Sequence, residues 1–215
     1  MPEEFIHPVP YYAQWASPEL TSDIVLGRLP AAADPRWAEY GASSPDEYAW
    51  WAKRLCGVAC LRMCLNYWGF PVPAPMDVAR DCIEAGAYVR HAEGLYGLIY
   101  APFADFVNQR WGLQAQSMPD LTPRQVRSSL KQGGLALLSV HPTIRFHGSR
   151  PQRRGGHLVL AVGFEGEDLI IHNPSGLFGV SQEFARVTPS DLDASFARRG
   201  VLLGGPGPLP LNEPP

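Results

Sequence analysis

The longest apolar stretch in the chain covers residues 56–69, where only Arg62 and Asn66 interrupt a run of small and hydrophobic residues. These two polar residues are four positions apart, so on a helix they share one narrow face while the other faces are apolar. Gly69, which two prolines closely follow, is typical of a helix end. The pattern predicts a buried helix with Cys56 in its first turn.

Four later segments repeat a helical spacing of apolar residues. They lie at residues 76–85, 98–111 and 122–132, and from residue 188 onward. The third has the clearest start, because Thr122 is followed by a proline at the first helical position and by Gln125 three residues after the cap, which is the signature of a capping box.

The spacing changes after residue 134. Residues 135–140 form a short, mostly apolar run that is typical of a buried strand. Residues 157–164 and 169–172 are two further strand-like runs, and the polar turn between them predicts a hairpin. Helices precede strands, without strand–helix alternation. This order predicts the α+β class, in which a helical layer with the Cys56 helix packs on an antiparallel β-sheet.

The length of 215 residues fits one domain, which we place at residues 1–203 with an insertion at about residues 16–50. The insertion is rich in Ala, Pro, Ser and Asp, and its few periodic apolar positions predict a long excursion over the surface. Residues 204–215 are rich in Gly and Pro, so we expect a flexible tail.

Composition and charge exclude several classes of protein. Hydrophobic residues make up 46% of the chain, charged residues make up 18%, and the formal net charge is −3. This balance favours neither a nucleic-acid partner nor an anionic membrane surface. No segment approaches the ~20 apolar residues of a membrane helix, and the first residues lack a signal-peptide pattern. We therefore expect a cytoplasmic protein with no membrane partner.

Three of the four cysteines lie on the predicted helix, at positions 56, 60 and 64. Neighbours four residues apart on a helix rarely meet disulfide geometry, so we expect reduced thiols. A shared zinc ion is also excluded, because eight residues of helix separate the outer two cysteines by roughly 12 Å, whereas a zinc–thiolate bond is about 2.3 Å long. We expect no metal and no cofactor, and we interpret Cys60, Cys64 and Cys82 as buried packing residues.

Cys56 is the candidate nucleophile, since a helix N-terminus favours a thiolate over a thiol. His157 opens one predicted strand and Asn173 closes its hairpin partner, so adjacent antiparallel strands can bring the two side chains together. An Asn carbonyl can hold the imidazole in the tautomer that a base requires. The backbone N–H of Cys56 and the side-chain amide of Gln14 are candidate donors to an oxyanion.

Four segments keep the order and roles found in a known family. They are residues 9–14, 56–69, 156–164 and 172–174. Together they resemble the bacteriocin-processing, double-glycine leader peptidases, which belong to the papain-like cysteine peptidases. The resemblance implies a papain-like fold with Cys56 as the nucleophile and His157 as the base. It also implies that Asn173 orients His157 and that Gln14 is an oxyanion donor.

Two features depart from the family pattern. The orienting position is more often Asp than Asn in similar proteins, although Asn serves in papain relatives. The separation of 42 residues between Gln14 and Cys56 (positions 14 and 56) is long, and it indicates an insertion that shapes the substrate site. No transporter domain is attached, so the resemblance implies a stand-alone peptidase.

The insertion ends in a group of aromatic residues that includes Trp50 and Trp51, just before the candidate nucleophile. We expect them to bind substrate along one wall of the cleft, together with Gly57 and Gly156. The alternative is that these aromatics only cover the start of the helix. The arginine-rich loop at residues 145–154 is either a solvated loop or a border of the cleft.

The leading hypothesis is a cysteine peptidase that hydrolyses a peptide or amide bond through an acyl-enzyme on Cys56, specialised for peptide maturation. An acyltransferase that forms amides would use the same residues, because only the acceptor of the acyl group differs. A third hypothesis is an inactive module that binds peptides in the same cleft. The expected partner is a peptide or amide substrate and not a nucleic acid, and the oligomeric state is open.

Overall fold

A computed structural model describes residues 3–92, 94, 95 and 97–207 of the chain. Its helices in chain order are α1 (Thr21–Val25), α2 (Pro45–Ala52), α3 (Cys56–Tyr67), α4 (Pro75–Glu84), α5 (Tyr100–Trp111), α6 (Pro123–Lys131) and α7 (Pro189–Ser195). Its strands are β1 (Glu4–Ile6), β2 (Arg90–His91), β3 (Gly94–Leu95), β4 (Gln114–Met118), β5 (Leu135–Val140), β6 (His157–Glu165), β7 (Asp168–His172), β8 (Ala185–Val187) and β9 (Phe196–Gly204). Short 3-10 helices lie at Pro18–Leu20, Ala31–Ala33, Trp37–Tyr40 and Pro142–Arg145. Most of the expected tail, residues 208–215, lies outside the described residues.

An antiparallel sheet runs through the described fold in the order β4-β9-β5-β6-β7-β8, and β1 pairs with the far end of β6. All of β5 and nearly all of β6 is buried, which explains their continuous apolar sequences. β6 begins with His157, and its neighbour β7 ends at His172. The antiparallel pairing of β6 with β7 therefore places the residues that follow His172 close to the start of β6.

Helix α3 packs against β6 and α4 with nearly all of its surface buried. The thiol of Cys60 donates a weak hydrogen bond to the carbonyl of Leu158 at 3.8 Å, which ties the helix to the sheet. The polar stripe of α3 faces Tyr12. Asn66 donates a hydrogen bond to the Tyr12 hydroxyl at 3.0 Å, and the Arg62 guanidinium lies 4.7 Å from the centre of the Tyr12 ring. The apolar pattern in the sequence predicts a helix that is buried on most sides and has one polar stripe, and the structure confirms both features.

The structure confirms the elements with strong periodicity, which are α3 to α7 and β5 to β7. Helix α6 also has the predicted capping box, since Thr122 Oγ1 accepts from the N–H of Gln125 and the Gln125 side chain accepts from the N–H of Thr122. The sequence analysis missed α1, α2, the β2–β3 hairpin and the strands β1, β4, β8 and β9. The strands β1, β4 and β8 have at most five residues, too few for a clear period, whereas β9 has nine residues and was missed despite its length.

Residues 16–50 fold into a set of short helices, and this corrects the expected surface excursion. Four apolar side chains of this segment belong to the core: Ile24, Ala31, Tyr40 and Tyr48. The buried carboxylate of Asp34 accepts hydrogen bonds from Ser17 Oγ at 2.6 Å and from Tyr48 Oη at 2.5 Å. Burial alone would raise the pKa of Asp34, but these hydrogen bonds outweigh it and lower the pKa, so the group stays ionised.

None of the described helices is both long and apolar enough to cross a membrane.

Candidate active site

Cys56 is the first residue of α3, and its side chain is only partly exposed. The backbone N–H groups of Leu158, Gly57 and Cys56 itself lie close enough to the sulfur to stabilise a thiolate, but burial has the larger effect and raises the pKa of the thiol. The structure therefore corrects the expectation that the helix N-terminus favours the thiolate. It also places the sulfur beside the start of β6, because Leu158 follows His157.

His157 and Asn173 are brought together as their positions in the hairpin predict. The two side chains are buried, and His157 Nε2 lies 2.9 Å from Asn173 Oδ1. A carboxamide oxygen can only accept a hydrogen bond, so this contact selects the tautomer with the proton on Nε2. The other ring nitrogen, Nδ1, is then unprotonated and able to accept a proton.

Burial lowers the pKa of His157 from 6.5 to about 4. The hydrogen bond to Asn173 opposes this change, and the nearby cation of Arg145 adds to it. Since burial also raises the pKa of Cys56, both shifts favour a neutral thiol beside a neutral imidazole in the resting protein.

Cys56 and His157 line the same cavity, which has a volume of about 510 Å³. Gly156 and Leu98 are also in its wall, so the structure brings the predicted residue Gly156 to the site. A Cβ on Gly57 would lie 2.7 Å from Leu98 Cδ2 and 3.0 Å from the side chain of Leu158. The absence of a side chain at Gly57 thus lets the segment with Leu98 close over the start of α3.

Gln14 is buried next to the segment that follows Asn173. Its backbone N–H donates to the carbonyl of Pro174, the residue after Asn173, at 2.8 Å. Its own carbonyl accepts from the Tyr40 hydroxyl at 2.8 Å, and its side-chain oxygen is buried without a partner in the described chain. Gln14 does not line the cavity that holds Cys56. Its role as an oxyanion donor stays a prediction.

The structure places Trp50 and Trp51 away from this cavity. Trp51 is 3% exposed and belongs to the core, whereas Trp50 is partly exposed and lies under the guanidinium of Arg54, 4.0 Å from the ring centre. The next two residues after α2, Lys53 and Arg54, do line the cavity. A substrate-binding role for the two tryptophans stays a prediction, and no contact with the cavity supports it.

The sequence analysis missed Ser175 as a neighbour of the candidate base. Ser175 Oγ lies 3.1 Å from His157 Nε2, and the N–H of Ser175 donates to Asn173 Oδ1 at 3.2 Å. Arg145 donates from Nη2 to Ser175 Oγ at 2.8 Å, so one arginine of the loop at residues 145–154 reaches the site from behind. In the sequence, only the position of Ser175 two residues after Asn173 could have indicated its contact with His157.

The remaining cysteines have no part in the cavity. Cys60, Cys64 and Cys82 are buried free thiols, and burial raises the pKa of each. Within the described ranges, no group of three or more His, Cys, Asp or Glu residues is arranged to hold a metal ion.

A family model described as the Peptidase_C39-like family matches residues 6–185, a range that includes Gln14, Cys56, His157 and Asn173. The chain belongs to this family. Membership confirms the resemblance that the four sequence segments carry. No curated protein matches the chain.

Two solved structures are similar to this Peptidase_C39-like protein. A candidate C39-like peptidase from Bacillus anthracis superposes with a TM-score of 0.57 at 16% identity, over 94% of this chain and 97% of that one. The peptidase domain of Streptococcus ComA, a bi-functional ABC transporter involved in a quorum sensing pathway, gives a TM-score of 0.48 at 14% identity, over 71% and 92% of the two chains. The first similarity shows a shared fold and confirms the predicted α+β, papain-like class.

Proposed function

We propose that this protein is a cysteine peptidase that hydrolyses a peptide or amide bond through an acyl-enzyme on Cys56. The observation that carries the proposal is the shared cavity of Cys56 and His157, with Asn173 Oδ1 2.9 Å from His157 Nε2. This is the arrangement of a nucleophile, a base and a residue that orients the base.

The first step joins sulfur to the substrate carbonyl carbon. His157 takes the thiol proton on Nδ1 as the sulfur attacks, and Asn173 holds the resulting imidazolium through Nε2–H. The backbone N–H of Cys56 and the amide of Gln14 stabilise the oxyanion. Collapse of this intermediate breaks the C–N bond, and His157 returns its proton to the leaving amine.

The second step releases the acyl group from the thioester. A water molecule gives a proton to His157 and attacks the thioester carbon, and the thiolate leaves and regains the proton. An amine in place of water would give a new amide, which is the acyltransferase alternative. The family resemblance supports a peptidase that is specialised for peptide maturation.

The test compares the wild type with Cys56→Ala, His157→Ala and the double variant on a library of peptides with varied residues around glycine pairs. Both single variants should lose at least ~10³-fold in turnover, and the double variant should lose no more, because the two residues act in one step. Cys82→Ala, which removes a buried thiol outside the cavity, is the matched control.

Mass spectrometry of the products separates the alternatives. Products that together gain one water confirm hydrolysis, and products joined to an added amine indicate acyl transfer. Turnover by Cys56→Ala would overturn the assignment of the nucleophile. Tight peptide binding with neither turnover nor labelling of Cys56 by a thiol-directed peptide electrophile would indicate a binding module.

A further inference from the structure

Three cationic side chains line the cavity of Cys56 and His157. Lys53 and Arg54 follow helix α2, and Arg199 comes from strand β9 on the sheet. None of the described residues that line this cavity is Asp or Glu. The cations therefore come from separate parts of the fold, and no described carboxylate in the cavity wall balances them.

Two of these cations are available to a ligand. Arg54 is partly committed, since it stacks over Trp50 and donates to the Trp50 carbonyl. Lys53 and Arg199 are exposed, and neither forms an ion pair with a described carboxylate.

The residue next to Arg199 shows the contrast. Arg198 pairs with Asp193 at 2.9 Å, and Arg154 pairs with the same carboxylate at 3.5 Å. The carboxylate of Asp193 thus pairs outside the cavity, while Arg199 in the cavity wall has no carboxylate partner among the described residues.

The surroundings strengthen the attraction for an anion. An ion pair on an open surface contributes little, but a cleft with apolar walls focuses the electric field of the cations that border it. Leu95, Leu98 and Ile99 supply such walls here. A carboxylate that enters this cavity meets two cations that pair with no described carboxylate, and no described lining residue is an acid that would repel it.

We propose that the substrate carries a carboxylate close to the bond that is cleaved, and that Lys53 and Arg199 bind it. The proposal rests on the peptidase function above and names the class of substrate that its site prefers. The carboxylate is either an Asp or Glu side chain or the free C-terminus of a short peptide, because both present the same group to the cations.

Matched peptides test the proposal. Each peptide has Glu or Gln at one position beside the cleaved bond, and each is made with a free or an amidated C-terminus. The wild type should show a kcat/KM about tenfold higher for peptides with the carboxylate, mainly through KM, and added salt should reduce the preference. A preference that follows Glu identifies the side chain, and one that follows the free end identifies the C-terminus.

Variants assign the preference to residues. Lys53→Gln and Arg199→Gln should each reduce the preference, and Arg199→Glu should abolish it, with neutral peptides affected little. Arg198→Gln is the matched control, because it removes an adjacent cation that does not line the cavity. Equal kcat/KM for acidic and neutral peptides, or an equal loss on both in Arg199→Gln, would overturn the proposal.

Binding to Cys56→Ala, measured by fluorescence anisotropy, keeps this inference distinct from the peptidase function. Tighter binding of acidic peptides that is lost in Arg199→Gln would support the carboxylate site even if the wild type showed no turnover. Turnover without such a difference in binding or in kcat/KM would reject the carboxylate site alone.

Discussion

At the scale of single residues, burial controls the charge of the candidate catalytic pair. It lowers the pKa of His157 to about 4 and raises the pKa of Cys56, although both residues have hydrogen-bonding partners that oppose the shift. Arg145 adds to the effect on His157, and it is itself partly buried with no carboxylate partner in the described chain. Its guanidinium donates a hydrogen bond to Ser175 Oγ, which offsets part of the cost of removing the charge from water.

This balance predicts the pH dependence of activity. Protonation of His157 removes the base, and its lowered pKa moves that loss to acid, so kcat/KM should fall only as the pH approaches about 4. Arg145→Gln should move the acid limb to higher pH and reduce kcat about tenfold, because the variant removes a nearby charge and loosens Ser175. Arg145→Lys should restore much of the profile. The measurement is kcat/KM against pH.

Two controls accompany this profile. Arg153→Gln removes a cation of the same loop that is not among the causes of the His157 shift, and should leave the acid limb in place. Between pH 6.5 and about 4, the unfolded chain binds a proton on His157 that the folded chain does not bind. The free energy of unfolding therefore decreases as the pH is lowered through this range. Circular dichroism at each pH is needed to separate this loss of stability from a loss of activity. An acid limb near 6.5 in the wild type would contradict the lowered pKa of His157.

At the scale of elements, the insertion at residues 16–50 holds the segment that begins at Gln14. The Tyr40 hydroxyl donates to the carbonyl of Gln14, and the Tyr48 hydroxyl accepts from the N–H of Ala16 at 2.9 Å. Asp34 then accepts from the N–H of Ser17 at 3.1 Å. The insertion therefore fixes the backbone of the candidate oxyanion donor, which is a different task from the cleft wall that the sequence suggested.

Substitution of Tyr40 tests this link. Tyr40→Phe leaves the buried carbonyl of Gln14 without its donor, and should lower the free energy of unfolding by about 1–3 kcal/mol. It should also reduce kcat more than it changes KM, in the same direction as Gln14→Ala, for which loss of one oxyanion donor costs ~10²–10³ in kcat. The measurements are urea denaturation and steady-state kinetics.

Tyr67→Phe is the control for this prediction, because its hydroxyl bonds to His7 outside the site. It should affect stability and leave kcat unchanged. An unchanged kcat in Gln14→Ala would assign the oxyanion donor elsewhere, and would leave Tyr40 with a purely structural role.

At the scale of the whole molecule, strand β1 pairs with β6, a strand in the interior of the sheet. β1 pairs with β6 through Ile6↔Gly163, and a Cβ on Gly163 would lie only 2.5 Å from the carbonyl oxygen of Phe5. Further along, His7 Nε2 donates to the carbonyl of Leu130 on α6 at 3.0 Å. Strand β1 and the adjacent His7 are thus held by residues more than 120 positions away.

Gly163→Ala should displace β1 and lower the free energy of unfolding by about 1–3 kcal/mol, because the new methyl group overlaps backbone atoms. Turnover at low temperature should stay near the wild type, since the other end of β6 carries His157. Gly207→Ala is the control, as its added Cβ would meet only Gln114 at an ordinary 3.5 Å. Equal stability of Gly163→Ala and the wild type in urea denaturation would show that β1 contributes nothing to the fold.

The sequence by itself determined the elements whose signal is local. A helix or a long strand repeats its pattern within a dozen residues, so α3 and the hairpin of β6 and β7 could be predicted from spacing alone. The meeting of His157 with Asn173 followed from that hairpin. The position of Cys56 in the first turn of α3 also followed, because the apolar run begins at this residue, and Gly69 with the prolines after it marks the end of the helix.

The tertiary structure alone decided which distant groups meet and how deeply they are buried. The contact of Arg145 with Ser175, the pairing of β1 with β6 and the hydrogen bond from Tyr40 to Gln14 join segments whose own sequences carry no mark of the partner. Burial likewise depends on the whole fold. At Cys56, removal of the sulfur from water raises the pKa of the thiol more than the groups at the start of the helix lower it. Local patterns specify backbone conformation, whereas pKa values and cavity walls depend on atoms that only folding brings near.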